Sequence, residues 1–260
     1  MTEKKRMRYS AVLAILLVLD TQLWADPDAK DLLRKVDSLV SFPDSDFSAE
    51  YTFVTNRPDE GFDTTQAAIF RRDAENKYLI LLLAPKVDRG KGYLKIGDNL
   101  WFYDPVPRKY VFTSSRDRFR NSNARNSDFT RSTFASDYSV QQTSKERLGK
   151  YDCTVLSLKA NSSEVTFPFA KLWISEDSLV RKGEDYSLSR QLLRTLLIPT
   201  YQGIGSRFVP QTIVIMDQLK GRVIDGKYIG DRTQITISKP SLAKLPDNLF
   251  TKAYLEKVSR

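Results

Sequence analysis

The sequence predicts a mainly β protein with flanking helices (α+β), its strands joined in one strongly curved antiparallel sheet. Three features carry that expectation. The block Gly90–Ser114, GKGYLKIGDNLWFYDPVPRKYVFTS, reads as three short strands, Tyr93–Ile96, Leu100–Tyr103 and Lys109–Thr113, parted by Gly97-Asp98-Asn99 and Pro105-Val106-Pro107. Gly and Asn tolerate positive φ, while Pro presets φ and removes a ladder donor, so both groups mark turns. Within the block Leu100 and Phe102 share one face, and Trp101 and Tyr103 the other. Finally, Tyr78–Leu83, YLILLL, has no polar alternation and predicts a strand buried on both sides.

The other elements follow in order. Asp28 through Ser41 places Ala29, Leu32, Leu33, Val36, Leu39 and Val40 on one stripe, with Asp28 available as an N-cap and Pro43 enforcing the end. That is amphipathic helical spacing. Strands are expected at Ala49–Thr55, Thr65–Asp73 and Lys77–Leu83 before the block. After it they are expected at Tyr138–Thr143, Cys153–Lys159, Ala170–Ser175, Leu179–Tyr186, Gln191–Leu197, Pro210–Asp217 and Gln234–Ser238. A closing helix spans Asp247 to Val258, with Leu249, Phe250, Ala253 and Tyr254 on one side. A sheet this long must curl, and helices on its concave side would leave an apolar space between layers.

The N-terminus has the layout of a secretory signal peptide over residues 1–25. Lys4, Lys5, Arg6 and Arg8 are basic, Ala11–Leu19 is apolar, and Leu23-Trp24-Ala25 offers a processing site. Asp20 stops the apolar run short of the ~20 residues a spanning helix needs. The expectation is a soluble periplasmic protein, cleaved near Ala25, with residues 26–260 as a single domain. The 41% hydrophobic and 11% aromatic content argues against disorder. The lone cysteine, Cys153, has no internal partner and sits in a strand-like run, which predicts a buried thiol.

The chain has no histidine, which removes Ser-His-Asp and Cys-His chemistry and the usual His-containing zinc sites. There is no nucleophile elbow or P-loop. The one S-x-x-K match, Ser241 to Lys244, lies between Pro240 and Pro246, where a helix is disfavoured. The expectation is no enzyme, no catalytic residue, no metal and no cofactor.

The block Gly92-Tyr93-Leu94-Lys95 with Leu100-Trp101-Phe102-Tyr103 and Pro105 resembles the outer-membrane lipoprotein-sorting family, the periplasmic LolA-like carriers. The likeness continues in Asn126-Ser127-Asp128-Phe129, in Phe208-Val209-Pro210 with Gln211–Asp217, and in Leu245 through Thr251. The resemblance implies an incomplete β-barrel capped by helices around a hydrophobic cavity. It also implies a carrier that shelters the acyl chains of lipoproteins between the inner and outer membranes. The implied partners are acylated lipoproteins or other lipids, an inner-membrane ABC-type release complex and an outer-membrane acceptor. In short members an arginine helps hold the lid shut, and Arg57 is one candidate for that residue here.

The candidate cavity residues are Ile69, Ile80, Leu82, Tyr93, Leu94, Trp101, Phe102, Tyr103, Phe112 and Trp173. Each is either plain core or pocket lining. Arg116, Arg118, Arg120, Arg125 and Arg131, with Phe119 and Phe129 between them, read either as a mobile solvated loop or as a docking site for anionic membrane or a partner. The net charge of +9 permits the second reading. Nucleic acid is not expected of an exported chain, and a monomer is. Two other functions stay open: a lipid- or lipoprotein-sensing regulator of the RseB type, and an envelope-complex subunit that holds no ligand.

Overall fold

A computed structural model describes residues 27–58 and 60–259; the expected signal peptide lies outside them. Helix α1, Pro27–Val40, is followed by six strands: β1 Asp46–Arg57, β2 Gly61–Arg72, β3 Lys77–Ala84, β4 Gly92–Ile96, β5 Asn99–Asp104 and β6 Lys109–Phe112. A long irregular segment then leads to the single helical turn α2, Phe134–Asp137. The second set of strands is β7 Tyr138–Leu148, β8 Tyr151–Ala160, β9 Phe169–Ser175, β10 Val180–Tyr186, β11 Leu192–Ile204, β12 Arg207–Ile224 and β13 Lys227–Ser241. Helix α3, Lys252–Val258, ends the fold.

All 13 strands form one antiparallel sheet in the order β6-β5-β4-β3-β2-β1-β13-β12-β11-β10-β9-β8-β7. Two meanders therefore meet where β1 pairs with β13. Strands β6 and β7 are the two edges and do not pair with each other, so the barrel is incomplete.

The register defines one continuous inner face. Leu156, Leu172, Gly183, Leu196, Ile215 and Thr233 are successive partners across β8 to β13. Side chains of directly paired residues lie on the same side of a sheet. On this face α1 buries Ala29, Leu33 and Val36 against Leu156, Leu158, Leu172 and Ile174. The inner face of β1 to β5 carries a second cluster, including Phe53, Ile69, Ile80, Leu82 and Tyr93. On the opposite, outer face of β3 to β5, α3 and the turn before it bury Leu249, Phe250 and Leu255 against Leu79, Leu94 and Tyr103. Gly92 permits that approach: a Cβ there would stand 2.6 Å from the Ile80 carbonyl oxygen and 2.7 Å from Leu255 Cδ1. So YLILLL in β3 is covered twice, as its pattern predicts.

Each expected strand is present, in order. The main differences are at the ends. Strands β7, β11, β12 and β13 run well beyond their apolar cores, because ladder hydrogen bonds continue through polar residues that carry no burial pattern. The closing helix is in two parts. Asp247–Phe250 is a 3-10 turn, and Thr251 restarts the chain by accepting the Tyr254 N–H at 3.1 Å. Helix α2 has too few residues for a periodic signal. It is held from outside by Asp37 of α1, whose carboxylate accepts the Phe134 and Ala135 N–H groups at 3.0 and 2.8 Å.

Candidate functional site

The inner face of the N-terminal meander is closed by the irregular segment 113–133, which joins the two meanders and contains the arginine-rich run. Phe119 and Phe129 point into the sheet and are fully buried. The Phe119 ring lies 5.0 Å from Phe53, 5.1 Å from Tyr93 and 4.7 Å from Phe129. Phe129 also meets Tyr51 edge-on at 6.3 Å. Aromatic pairs at these separations add to the gain from area alone. The segment is therefore a plug: two rings on mostly irregular backbone, Phe119 in a loop and Phe129 at the end of a single 3-10 turn, Asn126–Phe129. It folds locally by reverse turns, with Phe119 N–H donating to Ala124 O at 2.9 Å and Asn126 N–H to Asp117 O at 3.0 Å. This corrects the expectation of a mobile, solvated loop. The reason is Phe119 and Phe129, whose burial outweighs the polarity of their neighbours.

Polar clasps fasten the plug. Asp185, Arg194 and Asp217 are consecutive partners on β10, β11 and β12. Buried Arg194 donates to Asp185 at 2.7 Å and grips Asp128 of the plug with two bonds of 2.7 Å. Arg118 of the plug pairs with Asp217, and Arg120 with Asp88 in the β3–β4 loop. Arg57 at the end of β1 donates to the Asn121 carbonyl and pairs with Glu60 at 3.3 Å. Thr233 Oγ1 accepts the Asn123 N–H at 2.9 Å while bonded to Thr55 Oγ1.

Burial would raise the Asp217 carboxyl. The N–H groups of Leu219 and Lys220 and the Arg118 guanidinium outweigh it and hold the group below its ordinary 3.8. At Asp88, Lys91 and Arg120 likewise overcome burial. For Asp185 burial wins and the carboxyl is raised, with Arg194 opposing. Three buried polar atoms of the plug, Arg120 Nε, Asn123 Nδ2 and Asn126 Oδ1, have no protein partner.

The sequence-selected apolar residues divide between the faces. Ile69, Ile80, Leu82 and Tyr93 belong to the inner cluster beneath the plug, and Phe102 packs against it. Leu94, Trp101 and Tyr103 lie on the outer face beneath α3. Phe112 is exposed on edge strand β6, 5.3 Å from Trp101. Trp173 packs with Cys153 and Val155 on the outer side of β8 and β9, its indole N–H donating to Glu146 at 2.7 Å. The period of two decides this: Trp101 and Tyr103 must point away from Phe102. Cys153 is buried, as expected. Among the arginines, Arg118 and Arg120 are clasps. Arg125 turns back to the Arg116 carbonyl at 3.0 Å, Arg116 reaches the Ser163 carbonyl, and Arg131 is exposed.

The clasp residues on the sheet were not selected from sequence. Their signal was present: Asp185, Arg194 and Asp217 each stand two residues from an inward position of Gly183, Leu196 or Ile215, so a charge occupies an inner-face slot. A cleft of about 320 Å³ at the other end of the sheet is walled by Lys145, Glu146, Arg147 and Asp152, a lining unsuited to hydrocarbon. Among the described residues, no group of three or more Cys, Asp or Glu side chains could hold a metal ion.

A LolA superfamily protein from Nitrosomonas europaea has a solved structure with TM-score 0.74 and 27% identity, over 87% of this chain and 98% of that one. A family model described as "Uncharacterized protein" matches residues 74–257. The chain belongs to the LolA-like superfamily. An outer-membrane lipoprotein-sorting protein domain from Vibrio parahaemolyticus has the same fold, with TM-score 0.74 and 18% identity over 87% of this chain and 97% of that one. So does a DUF1329 family protein from Desulfovibrio piger, with TM-score 0.76 and 18% identity over 88% and 98%. A search of curated proteins finds no match. Within the superfamily this chain keeps the incomplete barrel, and the plug with its clasps occupies the concave side.

Proposed function

We propose that this protein is a periplasmic carrier of acyl chains, taking up the lipid moiety of lipoproteins beneath the plug and releasing it at a second membrane. The observation that carries the reading is the plug itself. An ordinary core is closed by regular elements, but here two phenyl rings on an irregular, ion-clasped segment cover an apolar face. If the plug swings out, Phe53, Ile69, Ile80, Tyr93 and Phe102 become the wall of an open groove. Each methylene moved from water to such a wall gains ~0.8 kcal/mol, so a few acyl carbons offset the loss of the Phe119 and Phe129 contacts. Exchange of like for like lets the carrier both load and unload. Arg57, through Asn121, acts as one of the closing contacts. The inner-membrane release complex and outer-membrane acceptor that the family resemblance implies remain part of this proposal.

The test is native mass spectrometry of the processed protein with a synthetic triacylated lipopeptide. The reading expects a one-to-one adduct that the Asp128→Asn protein forms more readily. A protein that stays bare under both conditions would instead favour a ligand-free envelope subunit, whose interior is permanently filled.

A further inference from the structure

The strand directions place the β1–β2, β3–β4, β5–β6, β10–β11 and β12–β13 turns at one end of the sheet. The plug meets the same end, since Arg57 holds Asn121 and Asp88 holds Arg120. This rim gathers exposed apolar side chains. Phe62, Val87, Val106, Leu188 and Val223 each stand in or beside a different one of these turns and are between 67% and 87% exposed. Of the other large exposed hydrophobic residues, Leu219, Tyr228 and Ile229 are here too, and Val111 and Phe112 lie on edge strand β6. Single exposed apolar residues are ordinary, but their concentration on the turns of one end is not.

The β12–β13 hairpin leads the rim. Its outer part, residues 218–230, runs past the last partners on either side, Asn56 of β1 and Arg194 of β11. It therefore projects as a two-stranded ribbon. At its base Gly221 has φ +155°, and a Cβ there would stand 2.2 Å from the Ile229 carbonyl oxygen, so the strands cross at contact distance. A free two-stranded ribbon is marginal in water. This one carries Val223, Ile224, Tyr228 and Ile229 beside Lys220, Arg222 and Lys227, with Asp225 as its one acid between residues 218 and 230. Lys86, Arg89 and Arg190 add charge on neighbouring turns.

We propose that this rim docks on an anionic lipid bilayer, with the ribbon entering first. The chemistry favours a bilayer over a protein partner. The apolar side chains stand at the ends of five separate hairpins, so a rigid partner would have to match each one. A fluid interface accepts them independently, and basic residues beside them meet lipid phosphates. Docking brings the plug's Arg120–Asn121 corner to the membrane, where acyl chains enter or leave. The Arg118 and Arg120 side chains stay in their clasps, so the lipid contact belongs to the rim and not to the arginine-rich run. Docking itself does not depend on the carrier reading.

Vesicle flotation tests this, using phosphatidylethanolamine–phosphatidylglycerol vesicles against pure phosphatidylcholine. The wild-type protein should float with the first and at least about tenfold less with the second. Val223→Asp with Ile229→Asp should lower binding to anionic vesicles at least about tenfold. Lys220→Glu with Lys227→Glu should do the same and flatten the salt dependence. Both pairs lie outside the packed sheet, so thermal midpoints and lipopeptide loading should match wild type. Failure of the wild-type protein to float, or ribbon variants floating like wild type, would overturn the proposal. Loss of loading with flotation intact would overturn the carrier reading instead.

Discussion

The two halves of the concave face are covered in opposite ways. Over β7 to β10, α1 lays an apolar seam of Ala29, Leu33 and Val36 on the sheet, and a regular helix satisfies its own backbone. Over β1 to β5, segment 113–133 inserts Phe119 and Phe129, satisfies its backbone by turns, and is held by Asp128, Arg118 and Arg120. One sheet thus carries a regular helical cover over one half and an ion-clasped cover over the other, and the proposed carrier reading makes the second the one that opens. The difference lies in whether the covering element is regular or clasped.

Mutations should widen or erase that contrast. The largest effect belongs to Arg194→Met, which leaves Asp185 and Asp128 buried without their cation. A loss of about 3–5 kcal/mol in urea denaturation is expected, and a change below 1 kcal/mol would mean that the clasp bears no weight. Leu33→Ala, in the half covered by α1, should cost about 2–5 kcal/mol through an unfilled cavity. It should leave lipopeptide loading unaltered, and a loading defect would blur the division between halves.

Asp128→Asn is gentler, because Arg194 keeps Asp185. We expect a stability loss of about 1–2 kcal/mol and roughly tenfold tighter apparent loading, since the open form is more populated. Unchanged loading in a destabilised protein would separate the clasp from the gate.

Acid gives the smallest effect within the physiological range. Asp217 and Asp88 have carboxyl groups held below their unfolded value, so their stabilisation is complete above about pH 4 and is lost as pH falls through the folded value. Denaturation midpoints should lose this contribution only below about pH 4, and its disappearance between pH 7 and 5 would contradict the assignment.

The strands were legible because alternation and turn residues report burial directly. Even the double burial of YLILLL was readable, although the element beneath it was not. The plug was harder to read for a physical reason. Its polar residues outnumber Phe119 and Phe129, so local composition describes a loop, and only tertiary contact decides that the two rings turn inward. The inner-face charges Asp185, Arg194 and Asp217 were visible in sequence, but their meaning depends on strand neighbours far apart in the chain. The split of the aromatic block between plug and α3 followed from a period of two. Which face was the concave one did not.

Hydrogen exchange with and without bound triacylated lipopeptide tests the gate most directly. The account predicts that loading speeds exchange of the Phe119, Asn123 and Asn126 amides, whose acceptors are Ala124, Thr233 and Asp117. Amides in α1 and in the β8–β9 ladder should keep their protection. Loading with the plug amides equally or better protected would contradict it, because the acyl chains would then lie somewhere other than beneath Phe119 and Phe129.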